Sequence, residues 1–597
     1  MNTTEKRAYL LLSVLLWIYL WLRAWQVPII YDEVATFYHY IHTGEFIPWF
    51  AHWDANNHIL NSALTIVSYN LFGSSPLALR LPNLLVSVLF FIYCFKIAEE
   101  INNKYLRWVF ILSLLFAHSF VDYFTLSRGY GMSMALLFAA IWYLMQSMKE
   151  AGTKNYLLTL LFINLAVLAN LTLIFSVFIF LGLLFLNLIG RKKTILSAVI
   201  TFIAGMLPAA FFVKLLFFMK TKGLLYYGSA VGFKSMTLWS LVKYFTGFES
   251  GAIEYLLIFY FVIIVIAMAF LISKTKGSNP FSNIHFVFAF LLIGNVVAIL
   301  LNALLFDVNY PEDRAALFFF PFFIGSLIFI ADESKTNYLQ KVLIGLSTAF
   351  LFFPVHFLMT ANLSHNSLEN FRILQRFYDK VEGEQKEGEM LSVIGGSHNK
   401  ELMWSYLNFR NGGKLSQMNT RSYPSLDLDY QITGYENDPD WFELYDSIDY
   451  DPQTQFYLVK RKKALPRKLV QSRDNIIHKE KPQREFFSLL KGRADTLIGK
   501  SLVVGFSLAV SAESKPFESW VVFTVKDKNK KTLRYERIPF DWLRTDWSNP
   551  ENRMVNSIYV NELPPESDKY FLFVWNINKV SYQIINGKAS VFVLENE

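Results

Sequence analysis

The sequence predicts a polytopic α-helical membrane protein that carries a mixed α/β connector and a β-sandwich at its C-terminal end. Three observations point there. Apolar runs follow one another from Ala8 to Ala361, most of them close to the roughly 20 residues that cross a bilayer as a helix. Only 17% of the 597 residues are charged, against about 25% in an ordinary soluble domain. From about Asn362 onward the composition turns polar, and residues 497–595 alternate with the period of a strand.

Eleven segments qualify as spans: 8–30, 78–98, 106–124, 127–147, 156–172, 173–189, 194–219, 254–273, 283–306, 314–332 and 339–360. The fifth and sixth are short and divided by a tight turn near Asn170. The first follows Lys6 and Arg7, but it is long and aromatic and lacks a small-residue cleavage site, so it reads as a retained helix.

With the N-terminus in the cytoplasm, the inner segments hold Lys6/Arg7, Lys96/Lys104/Arg107, Lys149/Lys154, Arg191/Lys192/Lys193, Lys274/Lys276 and Lys335/Lys341. The first outer loop, 31–77, has no lysine or arginine at all. The positive-inside rule selects this orientation, against one outer loop, 220–253, that carries four lysines. An odd number of spans then puts the C-terminal region outside. Topology also accounts for the net charge of +8, which needs no nucleic-acid partner. Cys94 is the single cysteine, so no intrachain disulfide forms.

Beyond the spans, the pattern predicts a helix over Leu368–Val381, a strand over Met390–Ile394, a helix over Lys400–Leu407 and a strand over Gln455–Lys460. The basic stretch Lys460–Lys463 with Arg467 and Lys468 reads as a solvated linker. Strands are expected at Leu502–Val510, Trp520–Lys526, Lys531–Ile538, Ser557–Val560, Tyr570–Trp575 and Ala589–Leu594. Turns are expected at Asp527–Asn529 and at Asn586-Gly587. The expected domains are therefore 1–361, 362–470 and 485–597. Trp520, Trp542, Trp547 and Trp575 of the last are expected in its core, with sugar binding as the alternative.

Chemistry concentrates in two places. The first outer loop opens on Tyr31-Asp32-Glu33 and holds four of the ten histidines: His39, His42, His52 and His58. It is also rich in aromatic residues, from Phe37, Tyr38 and Tyr40 to Phe46, Trp49, Phe50 and Trp53. Carboxylates here are candidate bases toward an acceptor hydroxyl or amine, and the rings are candidate surfaces for a sugar or for the headgroup layer. The bland alternative is that Asp32 and Glu33 only end a helix. Second, Arg80, Arg128 and Arg314 stand at the outer edges of spans. A charge at membrane depth faces the bundle interior and has a partner, and a guanidinium fork suits phosphate oxygens. The alternatives are internal ion pairs or snorkelling side chains; for Arg314 the neighbours Glu312 and Asp313 make a pair easy.

These residues carry a resemblance. An Asp-Glu pair after the first helix, then Asn57-His58-Ile59-Leu60, then Gly73-Ser74-Ser75-Pro76-Leu77-Ala78-Leu79-Arg80-Leu81-Pro82, is similar to the GT-C superfamily of membrane glycosyltransferases. Protein O-mannosyltransferases and lipid A aminoarabinose transferases are the groups it most resembles. Ser127-Arg128-Gly129-Tyr130 resembles an Arg-x-Tyr segment of that superfamily, and Tyr310-Pro311-Glu312-Asp313-Arg314 with Phe320-Pro321 resembles its late arginine motif. The resemblance covers roughly residues 8–360. It implies a polyprenyl-phosphate sugar donor and inverting transfer to a lipid, glycan or protein acceptor at the outer face of a bacterial plasma membrane. It implies Asp32 as base and Glu33 as its partner. Asn57, His58, Arg80, Arg128, Tyr130, Tyr310 and Arg314 would lie around the donor phosphate and substrate. The sequence departs from the relatives where they usually carry proline in the segment Asn57–Leu60. Members differ in their use of a divalent metal; the His and carboxylate cluster has the donor types for one, but no spacing here is diagnostic. A lipid-linked-sugar flippase and a non-catalytic envelope scaffold stand as the other readings.

Overall fold

The computed structural model describes the chain except residues 55, 151, 191–194, 226–227, 275–278, 335–336, 367–371, 387–389, 422, 435–440, 480–482, 513–517, 544–552 and 596–597. Arg191–Lys193, Lys276, Lys335 and Trp547 lie outside the described residues, as does the start of the helix expected from Leu368. The chain folds as two compact units, Met1–Val27 with Glu45–Ser367, and Pro28–Gly44 with Leu368–Glu597.

The first unit is helical. Among the described residues nine helices are long and apolar enough to cross a membrane: Thr3–Gln26, Pro76–Glu99, Gly129–Lys149, Leu171–Ile189, Val199–Thr221, Gly251–Lys274, Ile284–Phe306, Asp313–Glu333 and Tyr338–Thr360. A helix satisfies its backbone internally, which is the condition for lying in hydrocarbon. Two expected spans take another form. The run 106–124 is broken into Lys104–Leu115 and His118–Thr125, bent by 56°, where Phe116 and Ala117 leave helical geometry. The run 156–172 becomes Thr153–Ala169, 17 residues long, closed by a turn in which Asn170 caps Leu171–Leu173. The first helix starts earlier than its apolar run, because Asn2 and Glu5 form a reciprocal capping box at 2.8 and 3.0 Å.

Enclosure differs sharply among these helices. The apolar stretches of Gly129–Lys149 and Asp313–Glu333 are 83% and 89% buried, against 22% for Tyr338–Thr360 and 28% for Gly251–Lys274. The two inner helices are therefore the ones that begin beside Arg128 and Arg314.

The second unit holds thirteen strands among its described residues: β1 Ile394–Gly396, β2 Met418–Asn419, β3 Tyr430–Gly434, β4 Tyr445–Asp451, β5 Phe456–Arg461, β6 Arg467–Arg473, β7 Phe486–Arg493, β8 Leu502–Ala512, β9 Ser519–Lys526, β10 Thr532–Pro539, β11 Met554–Val560, β12 Lys569–Asn576 and β13 Tyr582–Leu594. An α/β sheet runs β2-β1-β3-β5-β4, parallel about β1, with helix His398–Arg410 between β1 and β2. Two antiparallel sheets, β10-β9-β12-β7 and β11-β8-β13-β6, form the sandwich around Phe487, Val504, Phe523, Leu572 and Val591.

Three sequence expectations change here. Arg467 and Lys468 are in β6, an edge strand paired with β13, rather than in a linker; β7 carries no sequence expectation at all. Asn586-Gly587 is not a turn but lies within β13, just after a bulge at Ile584/Asn586. A Cβ at Gly587 would meet the Leu508 side chain at 2.8 Å, so a larger residue there needs that side chain to shift. Trp520 and Trp575 are only half-buried, on the outward face of their strands, whereas the core side of β9 and β12 is Val521, Phe523, Leu572 and Val574.

Candidate active site

Within the membrane unit, the loop before Gly129–Lys149 is built around one buried amide. The Asn83 Nδ2 group donates to the carbonyls of Leu126 and Arg128 at 2.9 and 2.8 Å and to Asn61 Oδ1 at 2.7 Å. Its Oδ1 accepts from the Met132 amide at 3.0 Å. Asn83 thus sets the backbone on both sides of Arg128. Arg128 is 1% exposed, in extended conformation at the helix start, and its guanidinium donates to the carbonyl and side chain of Asn56.

Gly129 allows the next contact. A Cβ there would sit 1.8 Å from the Ala169 carbonyl oxygen and 2.7 Å from His58 Nδ1, so no other residue fits without moving backbone. His58 uses that space: its ring lies 4.6 Å from Tyr130 at 70°, and Nδ1 is 2.7 Å from the Ala169 oxygen. A carbonyl can only accept, so Nδ1 carries the proton. Burial pushes the imidazole well below its ordinary value, and the charges of Arg128 and Arg314 act in the same direction. The ring is therefore neutral at pH 7, with Nε2 a bare acceptor. Nε2 is buried and has no partner among the described residues.

Arg314 lies in the turn Asp313–Ala316. The strand of chain before it is pinned at four points. The Tyr310 amide donates to Ser229 O at 3.0 Å, Asn309 Nδ2 to Gly228 O at 3.1 Å, Thr237 Oγ1 to Pro311 O at 2.6 Å, and the Asp313 amide to Ser240 Oγ at 2.9 Å. Gly228, at φ +88°, passes so close that a Cβ would meet Tyr310 O at 2.2 Å.

The same segment that holds this loop walls an apolar groove of about 710 Å³, lined among others by Phe233, Leu241, Phe245, Tyr260, Phe320 and Phe353. Phe233 touches both Tyr310 and Phe319, at 6.2 and 5.9 Å between ring centres, and Phe245 stacks on Phe320 at 4.1 Å. The helix that continues from Arg314 is thus one wall of the groove.

Other expected residues have structural partners. Asn57 donates to Phe46 O at 2.9 Å and accepts from Ser62 at 3.2 Å. Arg80 donates to the carbonyls of Ala24 and Val27 at 3.0 and 2.7 Å, closing the C-terminal end of the first helix. Sequence reasoning missed Asn83, Asn61 and Tyr123, whose ring lies 5.1 Å from Tyr130. It also missed the buried pair of Arg23 with Asp122, at 2.6 Å, which Asn366 joins through Asp122 at 2.7 Å and Asn362 through Arg23 at 2.6 Å. A polar residue inside an apolar run was the available signal for Arg23 and Asn83.

Asp32 and Glu33 belong to the second unit, on the helix Tyr31–Thr36 that continues through Phe37–Ile41. Glu33 is fully buried and its carboxylate accepts from the Ile30 amide at 3.1 Å, a cap on its own helix start. Asp32, beside it, is half-buried. Phe37 meets Tyr406 at 5.4 Å and Phe409 at 5.5 Å, and Tyr38 meets Trp542 at 5.0 Å. The first rings of the loop are therefore core of this unit rather than a sugar or headgroup surface. Phe50 and Trp53, in the other unit, are 77% and 47% exposed. No group of three or more His, Cys, Asp and Glu side chains among the described residues is placed to hold a metal ion.

No protein-family model matches the sequence, and no curated protein matches it. Solved structures to which the chain shows a likeness include arabinosyltransferase EmbB from Mycobacterium smegmatis, at 9% identity and TM-score 0.35, covering 100% of this chain and 65% of that one. ArnT from Cupriavidus metallidurans bound to undecaprenyl phosphate is similar at 11% identity and TM-score 0.44, over 77% of this chain and 98% of that one. Arabinofuranosyltransferase AftD from mycobacteria is similar at 8% identity and TM-score 0.38, over 99% and 61%. The match spans 65% of the length of the first of these proteins and 61% of the third.

Proposed function

We propose that this chain is a membrane glycosyltransferase that takes a sugar from a polyprenyl-phosphate donor and transfers it, with inversion, to a lipid, glycan or protein acceptor at the outer face of a bacterial plasma membrane. The N-terminus is cytoplasmic and the C-terminal unit extracytoplasmic. The observation that carries this reading is the pairing of an apolar groove of about 710 Å³ with an arginine loop fixed on its wall. A hydrocarbon tail fits the groove, and a phosphate at its end meets Arg314 and Arg128 with Tyr310 and Tyr130 nearby.

In this reading the two guanidinium groups stabilise the charge that grows on the phosphate as the sugar leaves. The bare Nε2 of His58 accepts from a hydroxyl rather than from a phosphate oxygen, so it orients the sugar. Asp32 takes the proton of the acceptor, and Glu33 holds the start of the helix that presents it. Arg80 acts through the end of the first helix and Asn57 through the loop before His58.

One observation favours a second reading. The 56° break between Leu115 and His118 is a feature of carriers that move a substrate across the bilayer, here a lipid-linked sugar. Purified protein in lipid, given radiolabelled polyprenyl-phosphate sugars and envelope acceptors, separates the two. Transfer by wild type that is lost in Asp32→Asn and in Arg314→Ala supports the enzyme. Equal transfer in all three removes these residues from the chemistry, and donor translocation without transfer supports the carrier.

A further inference from the structure

At one end of the sandwich the surface is aromatic where a solvated sheet would be polar. The register aligns Phe486 of β7, Trp575 of β12, Trp520 of β9 and Pro539 of β10 in one row. All four stand on the outward face, since their neighbours Phe487, Val574, Val521 and Ile538 are core. Ring centres lie 5.4 Å apart for Trp520–Trp575 and 6.4 Å for Phe486–Trp575, and Phe486 is 50% exposed. Ile477 is 61% exposed at the same end, because the adjacent His478 Nε2 lies 2.8 Å from the Ser488 carbonyl oxygen.

Cations surround this row. The Arg537 guanidinium lies 3.8 Å over Trp520. Arg484 Nε donates to the Phe486 carbonyl at 3.0 Å, with its guanidinium 4.7 Å over Phe487. Lys479 follows His478, and Lys579 stands in the turn after β12, 3.2 Å from Glu485. Among the described residues the carboxylates beside them are Glu485, Glu518 and Asp541, so cations outnumber anions.

The path of the chain selects the partner. Pro28–Gly44 belongs to this unit and continues directly from the membrane helix Thr3–Gln26. Tyr38 packs on Trp542 at 5.0 Å, and Trp542 closes the turn that starts from Pro539. The aromatic row therefore lies at the end of the sheet beside the segment that emerges from the bilayer. Indole and phenyl rings settle at headgroup level, and lysine and arginine around them reach lipid phosphates. The membrane helix keeps that surface at high effective concentration, so a weak contact is enough. We infer that this end of the sandwich, from Ile477 and Phe486 to Trp520, docks on the anionic phospholipid headgroups of the membrane that the chain itself spans. The inference goes beyond the transfer reaction and does not depend on it.

The single cysteine, Cys94, is buried, so one environment-sensitive fluorophore can be attached at an introduced residue. Asn578→Cys places it in the exposed turn beside Trp575, and Lys528→Cys in the turn at the other end of the sheet. The full chain is compared in nanodiscs of phosphatidylcholine and of equal parts phosphatidylcholine and phosphatidylglycerol, with spin-labelled acyl chains as quencher. Quenching is expected at position 578 and not at 528, and more strongly in the anionic discs. Phe486→Ala is expected to weaken it and Phe486→Trp to retain it, while Lys479→Ala lowers the ratio of docked to free unit about 5-fold. No quenching at 578, equal quenching in both discs, or quenching unchanged by Phe486→Ala and Lys479→Ala overturns the inference. A blue shift at 578 without quenching marks a protein or a second copy on this surface and overturns it as well.

Discussion

Charged side chains in the two units answer to different solvents. In the membrane unit Arg23, Arg80 and Arg128 are at most 1% exposed, each bound to a carboxylate, a carbonyl or an amide. In the second unit many pairs lie in water, as Lys468 with Glu595 does, at 73% and 49% side-chain exposure. The same residue types therefore fix the structure throughout the membrane unit, whereas in the second unit exposed pairs decorate a surface and a buried pair such as Arg372 with Asp451, at 2.7 Å, does the fixing. Removing one member of a buried pair leaves an uncompensated charge, about 3–5 kcal/mol, whereas an exposed pair contributes about 0–1 kcal/mol.

The sharpest way to break that comparison is Asp122→Asn. It leaves Arg23 buried beside an amide, and a loss of about 3–5 kcal/mol is expected in thermal or denaturant unfolding of detergent-purified protein. The double replacement Arg23→Met with Asp122→Leu is expected to recover most of it. Gly129→Ala follows, because its methyl would sit 1.8 Å from the Ala169 oxygen. A loss of about 3 kcal/mol, with transfer abolished, is the expected outcome; normal stability with normal transfer would show that the His58 pocket is not built as described.

In the second unit one electrostatic effect depends on pH. Burial pushes Glu536 up to about 7 in the folded chain, above its ordinary 4.5. Between those values the folded state binds the extra proton, so stability falls as pH rises from about 4.5 and levels off above about 7. Glu536→Gln removes this residue's share of the dependence and leaves that of Asp541, which burial also pushes up to about 7. It is expected to stabilise the unit by about 1–3 kcal/mol at pH 8 and to change little at pH 4.5, as read from unfolding midpoints at the two pH values. Lys468→Ala, at an exposed pair, is expected to shift stability by less than about 0.5 kcal/mol.

What was legible in the sequence follows the same division. Long apolar runs carry most of the spans because length alone decides crossing, and Arg128 and Arg314 stood out because a charge at a span edge needs a reason. The break at Phe116-Ala117 was not legible, since no proline or glycine marks it and the bend brings Asp122 to a partner 99 residues away. Gly129 and Asn83 act through close approach to other helices, which no local pattern records. Alternation found β8 to β13. It missed β6, whose Arg467–Arg473 side chains are mostly exposed; basic residues on an edge strand guard against further pairing and read as a linker. The aromatic loop misled for the opposite reason: Phe37 and Tyr38 follow the first apolar run in sequence, but they pack into the second unit's core.

The central claim is that Arg128 and Arg314 hold a lipid phosphate beside the apolar groove. Native mass spectrometry of the purified chain with undecaprenyl phosphate tests it most directly, comparing wild type with Arg314→Ala and Arg128→Ala. The account predicts one bound lipid on wild type, with affinity reduced about 10-fold or more in either variant. Equal occupancy in all three proteins would contradict it.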